Sequence, residues 1–117
     1  MLNNSNLIGR LVRDVELNNT PQKKPVANFT IAVNRNYKNR QGERKTDFIS
    51  CVMWEEKAKN FAKWTQKGSL VRVSGQLESR DYTDSQNIKR YVTELNVQEF
   101  DLLDDRDKTA ATDGVGN

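Results

Sequence analysis

Between residues 26 and 54 apolar and polar side chains alternate in two runs separated by a polar interruption. In the first run Phe29, Ile31 and Val33 alternate with Asn28, Thr30 and Ala32. In the second, Phe48, Ser50, Val52 and Trp54 alternate with Ile49, Cys51 and Met53. A period of two is that of a β-strand, whose successive side chains point to opposite faces. The pattern predicts two strands joined by a hairpin over residues 35–45, and it places Phe48 and Trp54 on one face of the second strand.

The same reading extends in both directions. Residues 7–12 predict an earlier strand with Leu7, Gly9 and Leu11 on one side, able to run on to Leu17. The stretch NNTPQKKP, residues 18–25, holds both prolines and marks a break. After Trp54 the period changes, and Ala58, Phe61, Ala62 and Thr65 recur at helical spacing through EEKAKNFAKWTQKG. Glu55 and Glu56 suit the positive end of that helix, Lys63 and Lys67 its negative end, and Gly68 a stop. Trp64 lies at the margin of the apolar stripe and is expected to pack against the strands. A fourth strand follows over 70–80, with Val71, Val73 and Leu77 on its apolar side and Gly75 marking a bulge or bend. RDYTDSQNIKR turns the chain, and residues 91–97 alternate again. Three strands, one helix and two strands is the order of an OB-fold. The expected fold class is therefore all-β: a five-stranded OB-fold barrel with one α-helix between strands 3 and 4. The barrel is expected over 1–103, and 104–117 as a short disordered acidic and polar tail.

Composition narrows the chemistry. A chain of 117 residues suits one domain with one core. It has no histidine, which removes the usual general acid–base and the commonest metal ligand. A single cysteine leaves no Cys-based zinc site, and Cys51, on an apolar strand face, reads as a small buried hydrophobe. The adjacent acids Glu55–Glu56 and Asp104–Asp105 point in different directions on regular elements, and no glycine pattern matches a phosphate loop. No enzyme activity, metal or cofactor is expected. No apolar run approaches the ~20 residues of a membrane span, and MLNNSNLIGR lacks the layout of a signal peptide, so the expected location is cytoplasmic.

Charge then gives the pattern a direction. Residues 1–100 carry 17 Lys/Arg against 11 Asp/Glu, whereas 101–117 carry 2 against 5. Within the hairpin, RNYKNRQGERK holds five cations, one anion and Tyr37. Aromatic rings beside mobile positive charge are what an unstacked nucleic-acid strand requires, a surface for its bases and neutralisation for its phosphates.

Five runs make the resemblance specific: LIGRLVRDVEL, VANFTIAVNRNY, DFISCVMW, KGSLVRVSGQLESRDYTD and YVTELNV. Together they resemble the bacterial and phage single-stranded DNA-binding proteins over residues 2–103. The resemblance implies a five-stranded OB barrel, assembled as a homotetramer, that coats single-stranded DNA in replication, recombination and repair, in the bacterial cytoplasm or a phage-infected cell. By position it places the base-stacking aromatics at Tyr37, Phe48, Trp54 and Tyr82. The cations expected to follow the phosphates are Arg10, Arg35, Lys38, Arg44, Arg72 and Arg80. Such contacts require no reading of base edges, so little sequence preference is expected, and duplex DNA, its bases already stacked, should bind poorly.

Two features depart from the family pattern. Asn4, Ser5 and Asn6 are poor strand formers where the family carries a β-branched run that helps build a subunit interface, which leaves a dimer as the alternative to the tetramer. Longer members end in an acidic tip bearing an aromatic residue that recruits replication and repair enzymes. Here Asp101, Asp104, Asp105 and Asp107 are followed by no such tip, so that recruitment is not implied. Two rival readings are an RNA-binding or primosomal OB protein, separable by comparing DNA with RNA, and a protein-docking module, which predicts that Tyr37 and Trp54 can be removed with little loss of oligonucleotide affinity.

Overall fold

A computed structural model describes residues 1–104. Its elements, in chain order, are β1 (Ser5–Leu11), β2 (Glu16–Asn19), β3 (Pro25–Asn34), β4 (Thr46–Trp54), α1 (Glu55–Trp64), β5 (Leu70–Thr83) and β6 (Lys89–Leu102). The expected tail falls almost wholly on 105–117, outside the described residues.

The strands close on themselves. β1 pairs with β5, β5 with β6, β6 with β4, β4 with β3, and β3 returns to β1. All pairings are antiparallel except β4–β6. This is the five-membered ring expected, with the helix between its third and fourth strands, and closure leaves the ring fewer open edges. The sixth strand is a correction to the first predicted one, which divides in two. Leu11 pairs with Ile31 and Glu16 with Asn28, so residues 12–15 oppose only residues 29 and 30 of β3. That two-residue excess breaks the strand, and β2 resumes on the same neighbour as far as Asn19. The predicted break over 18–25 shortens accordingly, since Asn19 pairs with Pro25, the first residue of β3.

Polar Ser5 and Asn6 nevertheless form strand, because β5 supplies their partners, Gly75 and Ser74. β5 and β6 outrun their predicted ends and project as a long hairpin. Its turn is fixed by the Asp84 carboxylate, which accepts the backbone N–H groups of Gln86 and Ile88 at 2.9 Å each. Those bonds and one from Arg90 hold the Asp84 carboxyl below the usual carboxylate range.

Inside the ring lie Leu11, Ala27, Phe29, Ile31, Cys51, Met53, Val71, Val73, Leu95 and Val97, the inward half of each alternation. α1 lays Ala58 and Phe61 over them. The Phe61 ring stands 4.6 Å from that of Phe29 and meets Phe100 edge-on at 5.0 Å. Cys51 is buried as expected, and burial pushes its thiol up to about 12, where thiolate chemistry stops. Trp64 is only partly covered. The helix ends there, four residues before Gly68, and half of the indole stays exposed.

Candidate nucleic-acid interface

Register decides which side chains share a surface, because directly paired residues point to the same face of a sheet. From β3 to β4 the pairs are Val26 with Trp54, Asn28 with Val52, Thr30 with Ser50 and Ala32 with Phe48. Val52 pairs across to Asn96 of β6. From β6 to β5 the series continues as Asn96 with Gln76, Glu94 with Glu78, Val92 with Arg80 and Arg90 with Tyr82. One outer face thus carries Phe48, Trp54, Arg80 and Tyr82. Phe48 and Trp54 lie about 20 Å apart along β4, at ~3.3 Å per residue. Between them runs a groove lined by Asn28, Thr30 and Ser50, by Arg80, Val92 and Glu94, and by Arg13 with the acids Asp14 and Glu16.

The aromatics of this face are open. Phe48 is 65% exposed, an unusual state for phenylalanine, and Trp54 and Tyr82 keep nearly half their surface in solvent. Tyr37 is 62% exposed in the β3–β4 hairpin. That hairpin is ordered by its own side chains. The Asn39 amide oxygen accepts the N–H groups of Gln41 and Glu43 at 3.0 and 2.9 Å, and Gly42 takes a φ of 78°, a conformation glycine adopts without strain. At the hairpin's base Arg35 donates to both oxygens of Asp47 at 3.0 Å and to the Tyr37 hydroxyl at 3.2 Å. The hydrogen bonds from Arg35 hold the Asp47 carboxyl below the usual range and push the guanidinium further up.

The six predicted cations divide into two groups. Arg10, Arg35, Arg72 and Arg80 each hold a carboxylate: Asp104 at 3.2 Å, Asp47 at 3.0 Å, Asp101 at 2.7 Å and Glu94 at 2.9 Å. Lys38 and Arg44 hold none among the described residues. Arg44 donates to the Arg35 carbonyl at 2.9 Å, and the Lys38 side chain has no partner among the described residues. Arg80 also stands 5.9 Å over the Tyr82 ring, so these two predicted residues meet directly. Arg72 is placed apart, its guanidinium bound to Asp101 and to the amide oxygen of Asn6 in β1.

Lys23, Lys24, Lys57, Lys63 and Lys67 elsewhere, and at the groove and hairpin Arg13, Arg40 and Lys45, likewise have no ion pair among the described residues. The last two belong to the cation count of the hairpin. Arg13 could not be picked out, since only the broken first strand brings it to the groove. Tyr91, 73% exposed, pairs with Asp81 and therefore faces away from Tyr82 on the other side of the hairpin.

The sequence matches the profile of the single-strand binding protein family over residues 2–103. It is 45% identical over 117 residues to single-stranded DNA-binding protein 3 of Streptococcus agalactiae, an alignment covering all of this chain and 85% of that protein. It is 49% identical over 121 residues to the single-stranded DNA-binding protein of Lactiplantibacillus plantarum, covering all of this chain and 60% of the relative. The Streptococcus pneumoniae single-stranded DNA-binding protein is 47% identical over 106 residues, 91% of this chain and 68% of its own. The chain belongs to the single-strand binding protein family.

Proposed function

We propose that this chain binds and coats single-stranded DNA without marked sequence preference, as a non-enzymatic protein of replication, recombination and repair. The observation that carries the reading is the single outer face on which three open aromatics, Phe48, Trp54 and Tyr82, flank a polar groove. Relatives at 45–49% identity named for single-stranded DNA binding support it. Each stacked base contributes roughly 1–3 kcal/mol regardless of its identity, and Tyr37 adds a fourth platform at the hairpin. Cations of the hairpin and groove follow the phosphates: Lys38 and Arg44 directly, and Arg10, Arg72 and Arg80 by exchanging a carboxylate for a phosphate. Duplex DNA offers no free base faces and is refused.

Self-association is part of the reading. N-terminal to the β3 crossing at residues 9–11, β1 is paired among the described residues only on its β5 side, so the other edge of residues 5–8 is available to a second copy. A homotetramer is proposed, with a dimer as the alternative, in the cytoplasm of a bacterium or an infected cell. Among the described residues no helix is long and apolar enough to cross a membrane.

The test is titration with oligothymidine at two salt concentrations, read by tryptophan fluorescence, with a matched duplex as control. Quenching by the single strand that weakens with salt is expected, absent with duplex and lost in Trp54→Phe but kept in Trp64→Phe. Equal quenching by duplex, or none by either, would sink the reading.

A further inference from the structure

Arg35 stands among the cations that sequence position assigns to phosphate, yet its geometry is that of a clamp. Its Nε and Nη2 donate to the two carboxylate oxygens of Asp47, a bidentate fork, while Nη1 donates to the Tyr37 hydroxyl. Its backbone is held as well. The Arg35 N–H bonds the Lys45 carbonyl at 2.9 Å, and the Arg35 carbonyl receives Arg44 Nη1 at 2.9 Å. Three of the five guanidinium N–H donors are thus engaged, and a phosphate that displaced any of these partners would break a bond that fixes the base of the hairpin. Asp47 pairs with Val33 and so points to the face opposite Phe48. The ion pair therefore grips the hairpin from behind the aromatic face and leaves that face open.

We propose that Asp47 and Arg35 are positioning residues that set the Tyr37 ring for base stacking, and that Arg35 is not a phosphate contact. An exposed tyrosine on a hairpin otherwise samples several rotamers, and binding must stop that motion. A tether on its hydroxyl does so beforehand. Arginine is required, since lysine cannot fork onto a carboxylate and reach a third acceptor at once. The inference rests on Tyr37 being a base platform, as proposed above.

Its test turns on a sign. If Arg35 were a phosphate contact restrained by Asp47, Asp47→Asn would release it, tighten binding and steepen the salt dependence. If Asp47 positions Tyr37, the same substitution weakens binding despite removing a negative charge. We expect Asp47→Asn to raise the oligothymidine Kd by about three- to tenfold with no change of salt slope. Tyr37→Phe should do the same, and the double variant should be no worse than either single one. A change in overall stability alone cannot produce that non-additivity, and circular dichroism confirms that each variant is folded at the temperature used. Tighter binding by Asp47→Asn, or additive losses in the double variant, would overturn the proposal. Tyr37→Ala separates the two levels. Unchanged affinity there removes Tyr37 as a platform and the clamp's purpose with it, whereas a loss for Tyr37→Ala with none for Asp47→Asn overturns the positioning role alone.

Discussion

Gly75 marks the point where β5 changes register against β6, between Ser74 and Gly75. A Cβ at this position would lie 2.0 Å from the Asn96 carbonyl oxygen and 2.9 Å from its carbon, both backbone atoms of the neighbouring strand. Such atoms cannot swing aside as a side-chain tip can, so the two strands must part. Gly75→Ala should lower stability by about 2–3 kcal/mol, read as a lower urea midpoint with an unchanged slope. A loss below about 0.5 kcal/mol, the scatter of surface substitutions, would mean that the bulge absorbs the methyl. Gly75 was legible in the sequence as a bulge or bend because a glycine interrupted an apolar alternation. Gly9 was not, although its Cβ would meet the Ala32 carbonyl oxygen at 2.5 Å, because that contact exists only where β1 crosses β3. Phe48 and Trp54 were read correctly as sharing a face, which a two-residue period settles. Tyr82 joins them only through the pairings of two further strands, so no local pattern could place it there.

The helix shows what periodicity conveys about an element and where it stops. Ala58 and Phe61 lie on the predicted stripe and are fully buried, while Trp64, one step off it, is half exposed. The difference is one of geometry. Phe61 enters the ring between Phe29 and Phe100, whereas the last helical turn has passed the core by the time it reaches Trp64. Phe61→Ala should therefore cost about 3–5 kcal/mol and Trp64→Ala no more than about 0.5 kcal/mol, the second with oligothymidine affinity intact. Denaturant unfolding of both variants checks the contrast, and comparable losses would show that Trp64 supports the helix after all. Strand boundaries were less legible than strand identities for a related reason. Ser5 and Asn6 have little intrinsic strand preference and are held by β5, and the extra residues of β5 and β6 hold each other. The split of the first strand follows from its count against β3, which no single segment displays.

Over the whole molecule the formal charge of +3 is a poor guide to where a polyanion would lie, because several surface cations are already spent on neighbouring acids. Arg10, Arg35, Arg72 and Arg80 each hold a carboxylate, as do Lys89 and Arg90 in the β5–β6 hairpin. Of the cations without an ion pair among the described residues, Lys38, Arg40, Arg44 and Lys45 share the β3–β4 hairpin and Arg13 lines the groove, while Lys23 and Lys24 lie between β2 and β3 and Lys57, Lys63 and Lys67 on or just after α1. Salt dependence should follow this distribution. Each phosphate neutralised on a single strand contributes about −0.7 to the slope of log affinity against log salt. Lys38 holds no acid among the described residues, so Lys38→Ala should flatten the slope by about that amount. Arg72 must first leave Asp101, to which it is bound at 2.7 Å, and whatever counterions a phosphate sheds are offset by the carboxylate left to recruit them. Arg72→Ala should therefore shift the slope by less than half as much as Lys38→Ala. Titrations of both variants across four or five salt concentrations decide the matter. Equal shifts would mean that the ion pairs open freely on binding, so that the path follows all the cations rather than the unpaired ones.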